Sequence, residues 1–157
     1  MTASRIAGRE YTVVGWCRNR SILSNQEELK KLLRHVCERI GMRPLEEMGV
    51  DVELKLDKLG HERFHDEGGS TASLILSTSH ASIHGWPERD RSRPDGAFFW
   101  FTVGSCRDFE SICVDEILHE YLGITNADRT ERVIPLPDPS SLFTDRIDEA
   151  IRCNPRS

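Results

Sequence analysis

No run approaching roughly 18 apolar residues occurs in the chain, so the sequence supplies no transmembrane helix. The opening residues, MTASRIAGREYTVV, lack the apolar stretch of a secretory leader, and nothing in them argues for export. Clustered lysine and arginine are missing as well. The 26 acids outnumber the 21 bases for a net charge of −5, which argues against nucleic acid as the partner. There is no C-x-x-C. The five cysteines (Cys17, Cys37, Cys106, Cys113 and Cys153) are odd in number and widely spaced, and they read as reduced, mostly buried thiols of a cytoplasmic protein. The phosphate loop G-x-x-x-x-G-K-[ST], the dinucleotide fingerprint G-x-G-x-x-G and the G-x-S-x-G elbow are all absent. Internal repeats and low-complexity segments are absent too.

What remains is an ordinary globular composition, 38% hydrophobic and 30% charged over 157 residues. That length predicts a single domain over 1–157 with a core that needs no covalent staples. Tyr11 to Cys17 is short, β-branched and aromatic, and predicts a strand. Arg18 to Ser21 read as a polar connection. Ser24 and Glu27 form an S-x-x-E capping box, after which Leu29, Leu32, Leu33, Val36, Cys37 and Ile40 recur at helical spacing up to Gly41. Strict alternation over Val50–Asp57 predicts a strand with one wet face, and Lys58 to Thr71 reads as a loop. Leu74–Leu76 is a short apolar run read as a buried strand. Ala97 to Val103 is a strongly aromatic strand. Asp108 is placed to cap a second helix carrying Phe109, Ile112, Cys113, Ile117 and Leu118, which stops near Gly123. Thr130–Ile134 reads as a last strand, and Ser140 to Cys153 as a terminal helix. The order β-α-β-β-β-α-β plus that helix predicts an α+β fold, an antiparallel sheet with helices packed on one face.

The densest polar chemistry lies in Ser77-Thr78-Ser79-His80-Ala81-Ser82-Ile83-His84-Gly85-Trp86-Pro87-Glu88. From composition alone it is a polar turn after a strand. It also holds the materials for nucleophilic and proton-transfer chemistry, since a serine hydroxyl attacks a carbonyl when a base and an oxyanion donor are in place. Composition goes no further.

The segment SHASIHGWPE resembles the S-H-x-x-I-H-x-W-P-E signature of the prokaryotic S-adenosylmethionine decarboxylases. Other family features fall in the right order: Gly8-Arg9 before a strand ending in Trp16-Cys17, Ile22-Leu23-Ser24-Asn25 before the first helix, and Phe101-Thr102-Val103-Gly104 in place of an F-T-C-G. The similarity runs from about Gly8 to Gly123. It implies the two-layer fold of that family. It also implies that Ser79 attacks the carbonyl of Thr78 and that the chain is cut between 78 and 79, leaving a pyruvoyl group made from Ser79. That ketone forms a Schiff base with the substrate amine and serves as electron sink for decarboxylation, so no external cofactor is required. By the same resemblance His84 and Thr71 assist processing, Glu88 binds polar groups of the substrate, and Trp86 and Phe64 lie against the ligand. The implied product feeds polyamine (spermidine) synthesis, and the implied assembly is a homodimer with pockets across or beside the subunit contact.

Two positions depart from the pattern. Thr78 stands where the family usually has glutamate, and Val103 stands where it has the cysteine that protonates the substrate carbon. Cys106 lies three residues on, roughly 10 Å along an extended strand, and reaches the site only if Gly104-Ser105 turns the chain back. Water or His84 are the alternatives for that proton. The departures leave three further readings: a pyruvoyl decarboxylase for another amine, a non-catalytic homologue that binds a ligand or partner, and a metal site built on the H-x-x-x-H pairs His61/His65 and His80/His84.

Overall fold

The computed structural model describes residues 6–52, 68–77 and 79–136. Six strands form one antiparallel sheet in the order β2-β3-β4-β5-β1-β6. The elements are β1 (Ile6–Cys17), α1 (Arg20–Leu23), α2 (Gln26–Arg39), β2 (Pro44–Val52), β3 (Gly69–Leu76), β4 (His80–Trp86), β5 (Ala97–Ser105), α3 (Ser111–Leu122) and β6 (Ile124–Pro135). The predicted α+β architecture is therefore the observed one. The predicted loop 58–67, the later part of the predicted strand 50–57 and the predicted helix 140–153 fall outside the described residues.

Alternation sorts the side chains to two faces. Tyr11 and Val13 of β1, Ala72, Leu74 and Leu76 of β3, Ala81 and Ile83 of β4, and Phe99, Phe101 and Val103 of β5 are buried. They join Leu29, Leu32, Leu33, Val36 and Cys37 of α2 and Val114, Ile117, Leu118 and Leu122 of α3 in one core. The opposite face carries Trp16, Trp86, Trp100, His80, His84 and Thr102, none of them buried, and no described element of the chain covers it. Desolvation in the core pushes the Cys17 and Cys37 thiols up to about 12, so both stay protonated.

Several local expectations are corrected. Asn25, not Ser24, caps α2: its side chain accepts from the Glu27 N–H at 2.9 Å, while Ser24 Oγ donates to the Arg20 carbonyl. The polar connection contains the short helix α1. Helix α3 starts at Ser111 after Glu110, because Asp108 is drawn instead to Arg9, 2.7 Å away. Strand β2 is exposed on both faces, as expected of an edge, and Ile75 in the supposedly buried run is 48% exposed. Most of the signature segment is not a turn but a strand, β4, with Ser79 at the bend before it.

One close approach has functional weight. A Cβ at Gly85 would lie 2.8 Å from the Leu23 Cβ, so only glycine lets α1 sit directly on β4.

Candidate active site

Strand β4 carries the signature, and its register decides what each residue meets. Ala81, Ile83 and Gly85 turn toward the helices, whereas His80, Ser82, His84 and Trp86 share the bare face. Ser79 stands just before the strand, where the chain reverses: its carbonyl accepts from the Leu76 N–H at 2.9 Å. Its hydroxyl oxygen accepts from the backbone N–H of Cys106 at 3.0 Å. Gly104 and Ser105 do carry the chain so that Cys106 lies against Ser79. The two face a cavity of about 260 Å³, walled also by His80, Gly104, Arg9 and Glu10. Gly104 makes room there, since the His80 ring would lie 3.0 Å from a Cβ at that position.

Val103 is wholly buried, opposite Ala81 on the helix side of the sheet. It offers no proton and belongs to the core.

Thr71 and His84 are cross-strand partners, and Thr71 Oγ1 lies 3.0 Å from His84 Nδ1. The hydrogen bond fixes the imidazole on the bare face, with ring centres of Trp100 and Trp86 6.1 and 6.3 Å away. Five residues separate His84 from Ser79 on an extended strand, about 16 Å. Within one chain, the Thr71–His84 pair and the Ser79–Cys106 pair are therefore two separate clusters.

Trp86 continues a row of aromatics across three strands: it faces Phe98 at 5.6 Å, which meets Trp16 edge-on at 5.1 Å. The Arg93 guanidinium lies 5.3 Å over the Trp16 ring, a cation–π contact at one end of this shelf. Glu88, just past β4, pairs with Arg91 at 3.2 Å and Arg20 at 3.5 Å. Phe64 and Thr78 lie outside the described residues.

Sequence reasoning did not find Trp16, Phe98, Arg93 or Arg20. The aromatics become neighbours only through strand register. The partners of Arg20 are mostly backbone carbonyls, which carry no residue signature. His80 and His84, four apart on one strand, stand about 13 Å apart and share no metal. Among the described residues, no three His, Cys, Asp or Glu side chains gather to hold a metal ion. A larger hollow of about 490 Å³ lies on the other side of Arg9, but Arg9 is taken up there by Asp108 and Glu131, and neither Ser79 nor His84 borders it.

A sequence model of the S-adenosylmethionine decarboxylase family matches residues 10–132, and the chain belongs to that family. Three solved chains match its structure. One is the adenosylmethionine decarboxylase from Aquifex aeolicus VF5, with a TM-score of 0.61 and 15% identity over 87% of this chain and 97% of the other. At that identity the likeness speaks for the fold. No curated protein sequence matches.

Proposed function

We propose that the chain is a self-processing, pyruvoyl-dependent decarboxylase acting on S-adenosylmethionine in polyamine synthesis. The observation that carries this reading is the Ser79 hydroxyl, placed at a chain reversal, held by the Cys106 N–H and open to a cavity, within the part of the chain that matches the family. In processing, the Ser79 oxygen bonds to the carbonyl carbon of residue 78 and the C–N bond breaks, with the hydroxyl proton ending on the Ser79 nitrogen. Loss of the Ser79 α-proton then expels the carboxylate of residue 78; the resulting dehydroalanine tautomerises to an imine, which takes up water and releases the Ser79 nitrogen as ammonia, leaving the ketone. A backbone N–H on the attacking oxygen orients it. It also leaves that oxygen's own proton pointed elsewhere, toward a base.

The ketone supplies a condensation point for the substrate amine and a sink for the electrons released with carbon dioxide. The chain's residues do the rest. Cys106, which lines the same cavity, supplies the thiol that returns a proton to the substrate carbon, in the role that Val103 cannot fill. The Trp86–Phe98–Trp16 shelf, its rings tilted and edge-on to one another, offers an apolar surface for a heteroaromatic ring, and Glu88 an acceptor beside it; seven residues and about 23 Å along the strand from Ser79, it stands at the His84 end of the sheet and serves the partner copy's cavity.

His84 and Thr71 serve processing from a second subunit. Along one strand they stand too far from Ser79, but a copy packed against the bare face brings its pair over the Ser79 cavity. This is the homodimer, with each site completed across the contact. The uncovered face with exposed Trp100 and Ile75 supports that packing.

Intact mass under denaturing conditions tests the reading. Two fragments of 78 and 79 residues, the second blocked at its N-terminus and reactive toward a hydrazine, are expected. Ser79→Ala is expected to stay whole. A wild-type chain that stays whole overturns the proposal and favours the non-catalytic homologue, to which the buried Val103 at the thiol position already points.

A further inference from the structure

Arg20 is the only residue of α1 whose side chain reaches the loop that follows the signature, among the hydrogen bonds and ion pairs of the described residues. Its guanidinium donates to the carbonyls of Pro87 at 2.6 Å, Asp90 at 3.0 Å and Arg93 at 2.5 Å, and stands 3.5 Å from the Glu88 carboxylate. One rigid fork thus gathers three backbone acceptors and a carboxylate from a single loop. The geometry that allows it is built into the sheet. Gly85 lets Leu23 press onto β4, and this seats α1 over the strand from which the loop departs.

The loop carries two groups that bear on the aromatic shelf. Glu88 follows Trp86 by two residues, and Arg93, pinned by its carbonyl to Arg20, lies over Trp16. Asp95 accepts from two nitrogens of the Arg93 side chain at 3.1 Å, so Arg93 is held at its carbonyl by Arg20 and at its guanidinium by Asp95. Lysine offers a single ammonium on a flexible stem and cannot serve three carbonyls and a carboxylate at these angles.

We infer that Arg20 is a positioning residue for substrate: it sets Glu88 and the Arg93 cap at the two ends of the Trp86–Phe98–Trp16 shelf, and it acts on binding rather than on the Ser79 chemistry. The inference rests on the functional reading above, and its test separates the two.

The experiment compares wild type, Arg20→Lys, Glu88→Gln and the double variant, with Arg39→Lys as control because Arg39 pairs with Glu116 in the helix layer. Intact mass reports cleavage, release of carbon dioxide from S-adenosylmethionine reports KM and kcat, and thermal melting reports folding. Arg20→Lys is expected to cleave as wild type does and to raise KM about tenfold, the loss of about one charged hydrogen bond, with kcat little changed. In the Glu88→Gln background the same change is expected to raise KM much less, because Arg20 acts largely through Glu88.

A purely structural arginine would instead lower melting temperature and cleavage, with additive effects on KM, and that result overturns the inference. So does an unchanged KM in Arg20→Lys. If wild type remains uncut, the functional reading falls by itself, and the Kd for S-adenosylmethionine, read by tryptophan fluorescence, replaces KM in the same cycle. Absence of any binding then overturns the inference as well.

Discussion

Cys106 presents two groups to Ser79, and they can be told apart. Its N–H holds the Ser79 oxygen, and the residue lines the cavity, where its thiol is proposed to act. Cys106→Ala keeps the N–H and removes the thiol. It is expected to cleave normally and to lose about a hundredfold or more in decarboxylation rate, the scale of one general acid. Cys106→Pro removes the N–H. It is expected to slow cleavage by roughly tenfold, about the net worth of one hydrogen bond. Following fragment formation over time by mass, beside carbon dioxide release, checks both. Ser79 and His84 were legible in the signature, because residue type and spacing carry that chemistry. The nearness of Cys106 was not, since it depends on how two residues after Val103 bend at the end of β5. Arg20 left no trace at all.

At the scale of elements, Asp51 joins three of them. Its carboxylate, at the end of β2, accepts from Ser70 Oγ of β3 at 2.5 Å and from the Gln26 N–H, the first residue of α2, at 2.8 Å. The Ser70 hydrogen bond, then that N–H, hold Asp51 below the usual aspartate range. A lowered folded pKa means a stabilising contribution that is complete above the ordinary value of about 3.9 and drains away as pH falls through the folded one. Asp51→Asn is therefore expected to flatten the acid limb of a stability–pH curve and to leave less difference from wild type below it. Melting temperatures from pH 7 down to pH 2.5, a range of about that span around the aspartate titration, measure this. Helix α2 was readable from its 3.6-residue stripe, though its cap slid by one residue because the Ser24 hydroxyl closes α1 instead. Strand β4 was hidden. Of its inward residues Ala81, Ile83 and Gly85 only Ile83 is bulky, Gly85 being a glycine where α1 sits so close, and its outward ones, His80, Ser82, His84 and Trp86, are mostly polar, so no apolar alternation announced it. Strand β6 reached further than its sequence suggested, for an edge exposed on nearly every residue has no periodicity to show.

For the whole molecule, the decisive quantity is the span along β4 between Ser79 and His84. If each site draws on both copies, two inactive variants complement one another. Ser79→Ala supplies Thr71 and His84 but nothing to cut, whereas His84→Ala supplies an intact Ser79. Each alone is expected to remain mostly whole. Co-expressed, the pair is expected to yield fragments from the His84→Ala chain only, which a mass tag on one chain would reveal. Trp100→Asp, in the middle of the bare face and half exposed, is expected to shift the assembly toward monomer in sedimentation and to slow cleavage with it.

The bend closed by the Leu76–Ser79 hydrogen bond joins two strands that are fully paired from Ser70–Gly85 to Ile75–His80. Severing it leaves the ladder standing, so a matured protein would be two polypeptides interleaved in one sheet, joined at β3–β4, β5–β1 and β1–β6. Once melted, such halves must find each other by diffusion. Recovery from denaturant should then speed up with protein concentration for the mature form and ignore it at the same step for Ser79→Ala, making maturation a passage that the chain cannot easily retrace.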